Sequence, residues 1–177
     1  MDCLCEMTTL TARQQHLIQT NIAWLDQALE LISAIDDRAF AALRVGNHLR
    51  HIVDFYECFL DGVEAGQIDY DARRRDERVE RSRSAASEKI RTIADRLRTT
   101  RELSGDAAIF VRMEDAVAGE FQDPCLLTSV ARELQVLSSH TIHHFALIAM
   151  MLRQHGYQVD ANFGVAPSTL RYQSKAA

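Results

Sequence analysis

Chain breakers are scarce here: 2 prolines and 7 glycines in 177 residues, which leaves little to interrupt long helices. A basic excess is also missing. Lys and Arg number 20 against 25 Asp and Glu, for a net charge of −5, which argues against a nucleic-acid binder. No long hydrophobic run exists. The longest fully apolar stretch, Phe145 to Leu152, is far too short to cross a bilayer. The N-terminus lacks a basic stretch followed by an apolar one, so no signal peptide is read. The four cysteines, Cys3, Cys5, Cys58 and Cys125, form no pair with a two-residue gap, which excludes a zinc ribbon or a thioredoxin motif. They read as reduced thiols, with Cys58 packed as a small apolar side chain. These absences predict a soluble cytoplasmic protein without a membrane or nucleic-acid partner.

Apolar residues make up 47% of the chain, enough for a packed core in a single domain over residues 1–177. Four helical segments follow from the apolar spacing. The first runs from about Thr8 to Ile35, with Thr8 or Thr9 as cap and Leu10, Leu17, Trp24, Leu25, Leu29 and Ile32 on its stripe. The second runs from about Val45 to Val63, opened by Gly46-Asn47 and stopped from Asp61-Gly62. The third spans about Ala72 to Thr100 on a narrow stripe of Val79, Ala86, Ile90, Ile93 and Leu97. Its run Arg73, Arg74, Arg75, Arg78, Arg81 and Arg83 reads as a solvated helix face with local ion pairs. The alternative is a patch that steers an anionic substrate or a neighbouring subunit. Between Arg101 and Pro124 the helical period fails. The β-formers of Ala108–Met113 and the stretch Val117–Phe121 around Gly119 predict a small hairpin or extended loop. Asp123-Pro124 opens the fourth helix, about Pro124 to His155, ended by Gly156. The tail from Tyr157 has no helical period and reads as an ordered loop. The expected fold is all-α: a four-helix bundle with a short hairpin or loop insertion before the last helix and an irregular C-terminal tail.

Seven histidines are present: His16, His48, His51, His140, His143, His144 and His155. His140 and His144 lie four apart in an otherwise apolar segment. A helix turns about 100° per residue, so both imidazoles can aim at one point. Burying such a pair without partners is costly, and a divalent metal removes that cost. His51 and His48, three apart on the second helix, compete to be the third ligand. His143 reads as a neighbour to the ligands, and His16 and His155 as ordinary helix residues. Glu133, two turns before His140, is the candidate catalytic group: it would accept from a ligand imidazole or act as a base on a metal-bound water. An ion pair with Arg132 or an arginine of another helix is its structural alternative. Zinc, nickel and iron all accept imidazole. No His-Glu-x-x-His order is present, which argues against peptide cleavage.

Two stretches carry a family resemblance. They are Val45-Gly-Asn-His48-Leu-Arg-His51-Ile-Val-Asp54-Phe, and Arg132-Glu133-Leu through Ser139-His140-Thr-Ile-His143-His144-Phe-Ala-Leu-Ile-Ala149. With the order and length of the helices, they resemble the DinB-like family of metal-dependent four-helix bundles, which includes bacterial thiol transferases. The resemblance implies a metal held by His51, His140 and His144, with His48 beside them as the other possible third ligand. It also implies a low-molecular-weight thiol as cofactor, transfer of that thiol or thiol-dependent isomerisation of a small-molecule substrate, and a homodimer formed through the helices. The family often continues its last histidine into Gly-Gln, where this chain has Phe145-Ala146-Leu147. Two other functions fit the residues. One is a metal-dependent hydrolase of small amides or esters with Glu133 as base. The other is a non-enzymatic, stress-related helical binding protein or scaffold.

Overall fold

The computed structural model describes residues 3–113 and 125–176. Among the described residues the chain is mostly helical, with one small sheet. Its order is α1 (Cys3–Ala34), α2 (Asp37–Ala42), α3 (Val45–Ala65), β1 (Gln67–Asp69), α4 (Glu77–Arg81) and α5 (Arg83–Thr99). A 3-10 turn (Arg101–Ser104), β2 (Ala108–Arg112), β3 (Leu126–Ser129), α6 (Val130–Gln154) and α7 (Pro167–Ala176) complete it. No helix is long and apolar enough to cross a membrane.

The long helices follow from their apolar stripes. Leu25, Ala28 and Ile32 of α1, Leu49, Ile52, Tyr56, Phe59 and Leu60 of α3, Ile90, Ile93 and Leu97 of α5, and Leu134, Leu137, Phe145, Ile148 and Leu152 of α6 are all buried. Each such side chain contributes about 1.5–3 kcal/mol by leaving water. α1 packs against α5 and α6, and α3 packs against the same two helices. That arrangement lays α3 along α6 and brings their histidines face to face.

Several boundaries differ from the sequence expectation. Thr8 and Thr9 fall inside α1 instead of capping it. Beyond the end of α1 the Asp36 side chain accepts from the Ala39 amide and caps a short helix, α2, that the apolar spacing did not predict. α3 runs past Asp61-Gly62 to Ala65 and stops at Gly66, whose φ of 78° suits a residue without Cβ. Gly62 serves packing, since a Cβ there would stand 2.6 Å from the Ile68 Cα of β1.

The expected third helix is two. Ser82, extended at φ −135° and ψ 118°, ends α4 and caps α5 by accepting from the Ala85 amide. Residues 72–76 precede α4 and include Arg75 in the left-handed region at φ 53°. The arginine run therefore spreads over a loop and two helices and does not form a single helix face.

β1 pairs in parallel with β2, and β2 pairs antiparallel with β3, in the order β1-β2-β3. Leu126–Ser129 are thus strand, and the last helix begins at Val130, capped by Ser129 through the Arg132 amide. Its expected opening at Asp123-Pro124, and the stretch Val117–Phe121, lie outside the described residues. The tail is irregular only as far as Ala166. Phe163 stacks on Phe145 of α6 with ring centroids 4.5 Å apart. The helix α7 then opens on Pro167, a favoured first position. It had no apolar signal because nearly all of its described side chains are exposed.

Candidate metal centre

α3 and α6 supply the site. On α3, the residues that alternate with the buried Leu49, Ile52 and Tyr56 are the half-buried His48 and His51. On α6, His140 and His144 are half-buried while His143 between them is exposed. The ligating nitrogens of His51, His140 and His144 all lie within 4.8 Å of one another. Ring centroids are 4.8 Å apart for His51–His140, 4.8 Å for His51–His144 and 4.6 Å for His140–His144.

His48 stands beside this cluster. Its Nδ1 is 2.8 Å from Nδ1 of His144, so one ring donates and the other accepts. The exposed His143 ring lies 5.3 Å from that of His144.

The charge state of the cluster follows from its surroundings. Burial, reinforced by the Arg73 and Arg50 charges and by His48, pulls His51 down to about 4. Burial, then His51, His143 and Arg73, pulls His140 down to about 4. His144 falls to about 3, through burial and then its four histidine neighbours. Burial, Arg44 and His143 lower His48 as well. At neutral pH the rings are uncharged, and each offers one lone pair.

Three uncharged imidazoles from two helices are a donor set for a divalent ion. The fit has a local sign: Nε2 of His140 is buried with no hydrogen-bond partner, and a buried polar atom left so is costly. Nitrogens on one tetrahedral ion lie roughly 3.4 Å apart, from metal–nitrogen bonds of about 2.0–2.1 Å. The three nitrogens, within 4.8 Å of one another, would have to draw closer to share one ion.

His140 is held from behind by a stack. Its ring lies on Phe55 (centroids 4.2 Å, interplanar angle 23°), and Phe55 lies on Tyr70 (4.9 Å, 19°). The Tyr70 hydroxyl donates to Glu133 Oε2 at 2.8 Å, and Thr128 Oγ1 donates to Glu133 Oε1 at 2.8 Å. Burial and the Glu133 carboxylate push the Tyr70 phenol far up, so Tyr70 stays the donor. The sheet makes this arrangement, since the Tyr70 amide donates to the carbonyl of Arg112, the last residue of β2, and Thr128 belongs to β3. Glu133 thus has both oxygens engaged by hydroxyls, and neither Arg132 nor another arginine is among its described partners.

One residue past His140, the buried Thr141 donates to the Leu137 carbonyl at 2.8 Å and lies 3.3 Å from the Tyr56 hydroxyl. Tyr56 donates to Asn21 Oδ1 at 2.7 Å, and Asn21 Nδ2 donates to the Leu134 carbonyl at 3.0 Å. This network ties α1, α3 and α6 together below the histidines. On the open side, Arg50 pairs with Asp54 at 2.8 Å and with Glu80 of α4. Arg73 Nη1 lies 3.3 Å from His51 Nδ1, and its Cζ lies 5.4 Å from the centre of the Phe55 ring. Sequence reasoning assigned no role to Phe55, Tyr70, Asn21 or Tyr56, because nothing local distinguishes them from ordinary core residues.

Cys58 and Cys125 are free. Burial and neighbouring carboxylates push the Cys58 thiol up to about 11, so it is an unreactive, packed side chain.

No family model matches the chain, and no solved structure matches it. A curated protein, FK506-binding protein 5 of Rhizopus delemar, is 33% identical over 112 residues, which cover 61% of this chain and 28% of that protein. The chain therefore spans little more than a quarter of that relative's length.

Proposed function

We propose that this chain is a metal-binding enzyme of the DinB-like four-helix-bundle type, acting on a small thiol or on an electrophile that a thiol attacks. The packing of α1 and α3 each against α5 and α6 supports the bundle. The observation that carries the metal reading is the convergence of His51, His140 and His144 within 4.8 Å. These three residues hold a divalent ion such as zinc, nickel or iron, and leave positions open for a ligand.

When bound, the ion supplies a Lewis acid that keeps a thiol deprotonated near neutral pH. The protein's part is to hold and orient. A ring that gives its lone pair away through Nε2 keeps a proton on Nδ1. His144 then donates from Nδ1 to the uncharged His48, which fixes the tautomer. This makes His48 the positioning partner of His144 and His51 the third ligand. Phe55, braced by Tyr70 and Glu133, sets the plane of the His140 ring. Glu133 serves that brace in this reading. Buried and held by two hydroxyls, Glu133 is poorly exposed for a role as base in ester or amide hydrolysis.

Elemental analysis of the purified protein tests the proposal. Wild type should hold about one divalent ion per chain. His51→Ala, His140→Ala and His144→Ala should each lose it. His48→Ala should keep the stoichiometry and weaken affinity about 10- to 100-fold, the usual cost of removing such a partner. A wild type that takes up no ion on reconstitution, with a His140→Ala variant of unchanged stability, would leave a helical scaffold instead. Retention by His51→Ala with loss in His48→Ala would exchange their roles.

A further inference from the structure

The arginines between positions 73 and 83 differ in one respect that the sequence does not show. Arg74 pairs with Asp61 at 3.0 Å, Arg78 with Asp76 at 2.8 Å, Arg81 with Glu77 at 2.7 Å and Arg83 with Asp37 at 2.6 Å. Neither Arg73 nor Arg75 has an ion pair among the described residues, but Arg75 is exposed and Arg73 is half-buried. Its Nε is buried without a hydrogen-bond partner. Its Nη1 has only the imidazole of His51, at 3.3 Å, and its Cζ stands over Phe55.

Arg73 is therefore a half-buried cation beside the histidine cluster. The nearby acids are committed elsewhere, Asp54 to Arg50 and Glu133 to Tyr70 and Thr128. Asp54, whose carboxylate feels the Arg73 charge, is already ion-paired to Arg50, so the half-buried guanidinium keeps an unsatisfied Nε and no pair of its own, which is unfavourable. Metal binding sharpens the problem. A neutral imidazole has one ring lone pair, and a guanidinium can only donate. Once His51 gives that lone pair to an ion, Arg73 Nη1 has no acceptor left. With an ion bound, the centre would hold two cationic groups side by side, and among the described residues the acids nearby are already committed. What satisfies both is an anion brought by the ligand.

We propose that Arg73 is the carboxylate receptor of this site: the ligand carries a carboxylate a few bonds from the atom that meets the metal, and Arg73 binds it. The inference rests on the metal reading above and adds the substrate class, a low-molecular-weight thiol bearing a carboxylate. Arg73 is a specificity residue for that group, with the charge-assisted, planar recognition that arginine provides.

The test compares 3-mercaptopropionate with its neutral isostere 3-mercaptopropionamide on the cobalt-loaded protein, reading the sulfur-to-cobalt absorption band. Wild type should favour the carboxylate roughly 10- to 100-fold, the equivalent of one or two charge-assisted hydrogen bonds. Arg73→Gln should lose that preference, read as the ratio of carboxylate to amide binding within the variant. Arg73→Lys should keep part of it, which separates lost charge from lost fold. A second arm is independent of metal. Succinate is titrated into chelator-treated protein, and the His51 ring resonances are followed by NMR. They should shift in wild type and stay still in Arg73→Gln. Equal discrimination by wild type and Arg73→Gln overturns the role of Arg73 and leaves the metal reading standing. Succinate shifts that depend on Arg73, with no thiol band from either probe, uphold the carboxylate receptor and sink the thiol chemistry. Absence of both signals overturns both.

Discussion

Acidification of the metal-free protein should unfold it from the histidine cluster outward. His51 and His140 are held down to about 4 and His144 to about 3, against an ordinary value of 6.5. As the pH falls through 6.5, these rings take up protons in the unfolded chain and refuse them in the folded one. Between about 4 and 6.5 the unfolded state binds more protons, so stability rises with pH across that window. The contribution is complete above 6.5 and is lost as the pH falls towards 4. A depression from 6.5 to about 4 corresponds to about 3.5 kcal/mol of preference for one neutral ring at ~1.4 kcal/mol per unit. The rings are half-buried, and water screening cuts that to roughly 1.5 kcal/mol each. The rings also interact, so the three do not add. A loss of about 2–4 kcal/mol between pH 7 and 4.5 is the expected total. Asp54 works in the opposite direction, since burial raises its carboxyl against the pull of Arg50. The informative quantity is therefore the difference between wild type and a His140→Gln/His144→Gln variant. Urea midpoints at constant m across pH 4.5 to 7.5 measure it. Wild type should lose stability steeply and the variant should lose much less. Parallel pH profiles, or a wild type that gains stability on acidification, would refute the reasoning.

Removing the Tyr70 hydroxyl (Tyr70→Phe) takes one of two described donors from the buried Glu133 carboxylate. Urea denaturation should show a loss of about 1.5–3 kcal/mol, the range for hydrogen bonds to charged groups. If Glu133 is only part of a brace, the Tyr70→Phe/Glu133→Gln double variant should recover some of that loss. At Gly46, a Cβ would stand 2.1 Å from the Glu80 carbonyl oxygen and 2.7 Å from the Phe40 ring. Gly46→Ala should therefore push α4 off α3 and cost about 1–3 kcal/mol, as overpacking does. The urea midpoint again reads it, and an unchanged midpoint would mean that α4 yields freely.

What could be read from the linear chain was whatever a single helix contains. The stripes of α1, α3, α5 and α6 repeat at helical spacing because each helix buries one face, and a period is local information. The pairing of His140 with His144 is local for the same reason, since one turn of one helix brings them together. The short pieces escaped because they carry little period. α2 has six residues, α4 has five, and α7 keeps its described side chains mostly in solvent. β3 falls within the stretch that the Asp123-Pro124 signal assigns to the last helix, and only the backbone pairing with β2 makes it strand.

The part of the site that spans elements depended on tertiary structure. His48 and His51 are both on the correct side of α3. How α3 is rotated and set in height against α6 decides which ring joins the cluster and which hydrogen-bonds to His144. Arg73 is indistinguishable in sequence from the arginines that follow it. It stands apart because the loop after β1 carries it over Phe55, where it is half-buried and makes no ion pair among the described residues. Glu133 likewise meets Tyr70 and Thr128 only because β1, β2 and β3 pair in one sheet. The amino-acid order alone settled the apolar stripes of the long helices and that two imidazoles share a face, because those properties depend on spacing within a few turns. The third ring, the brace behind it and the unpaired guanidinium were decided by contacts between residues far apart in the chain, which no local period encodes.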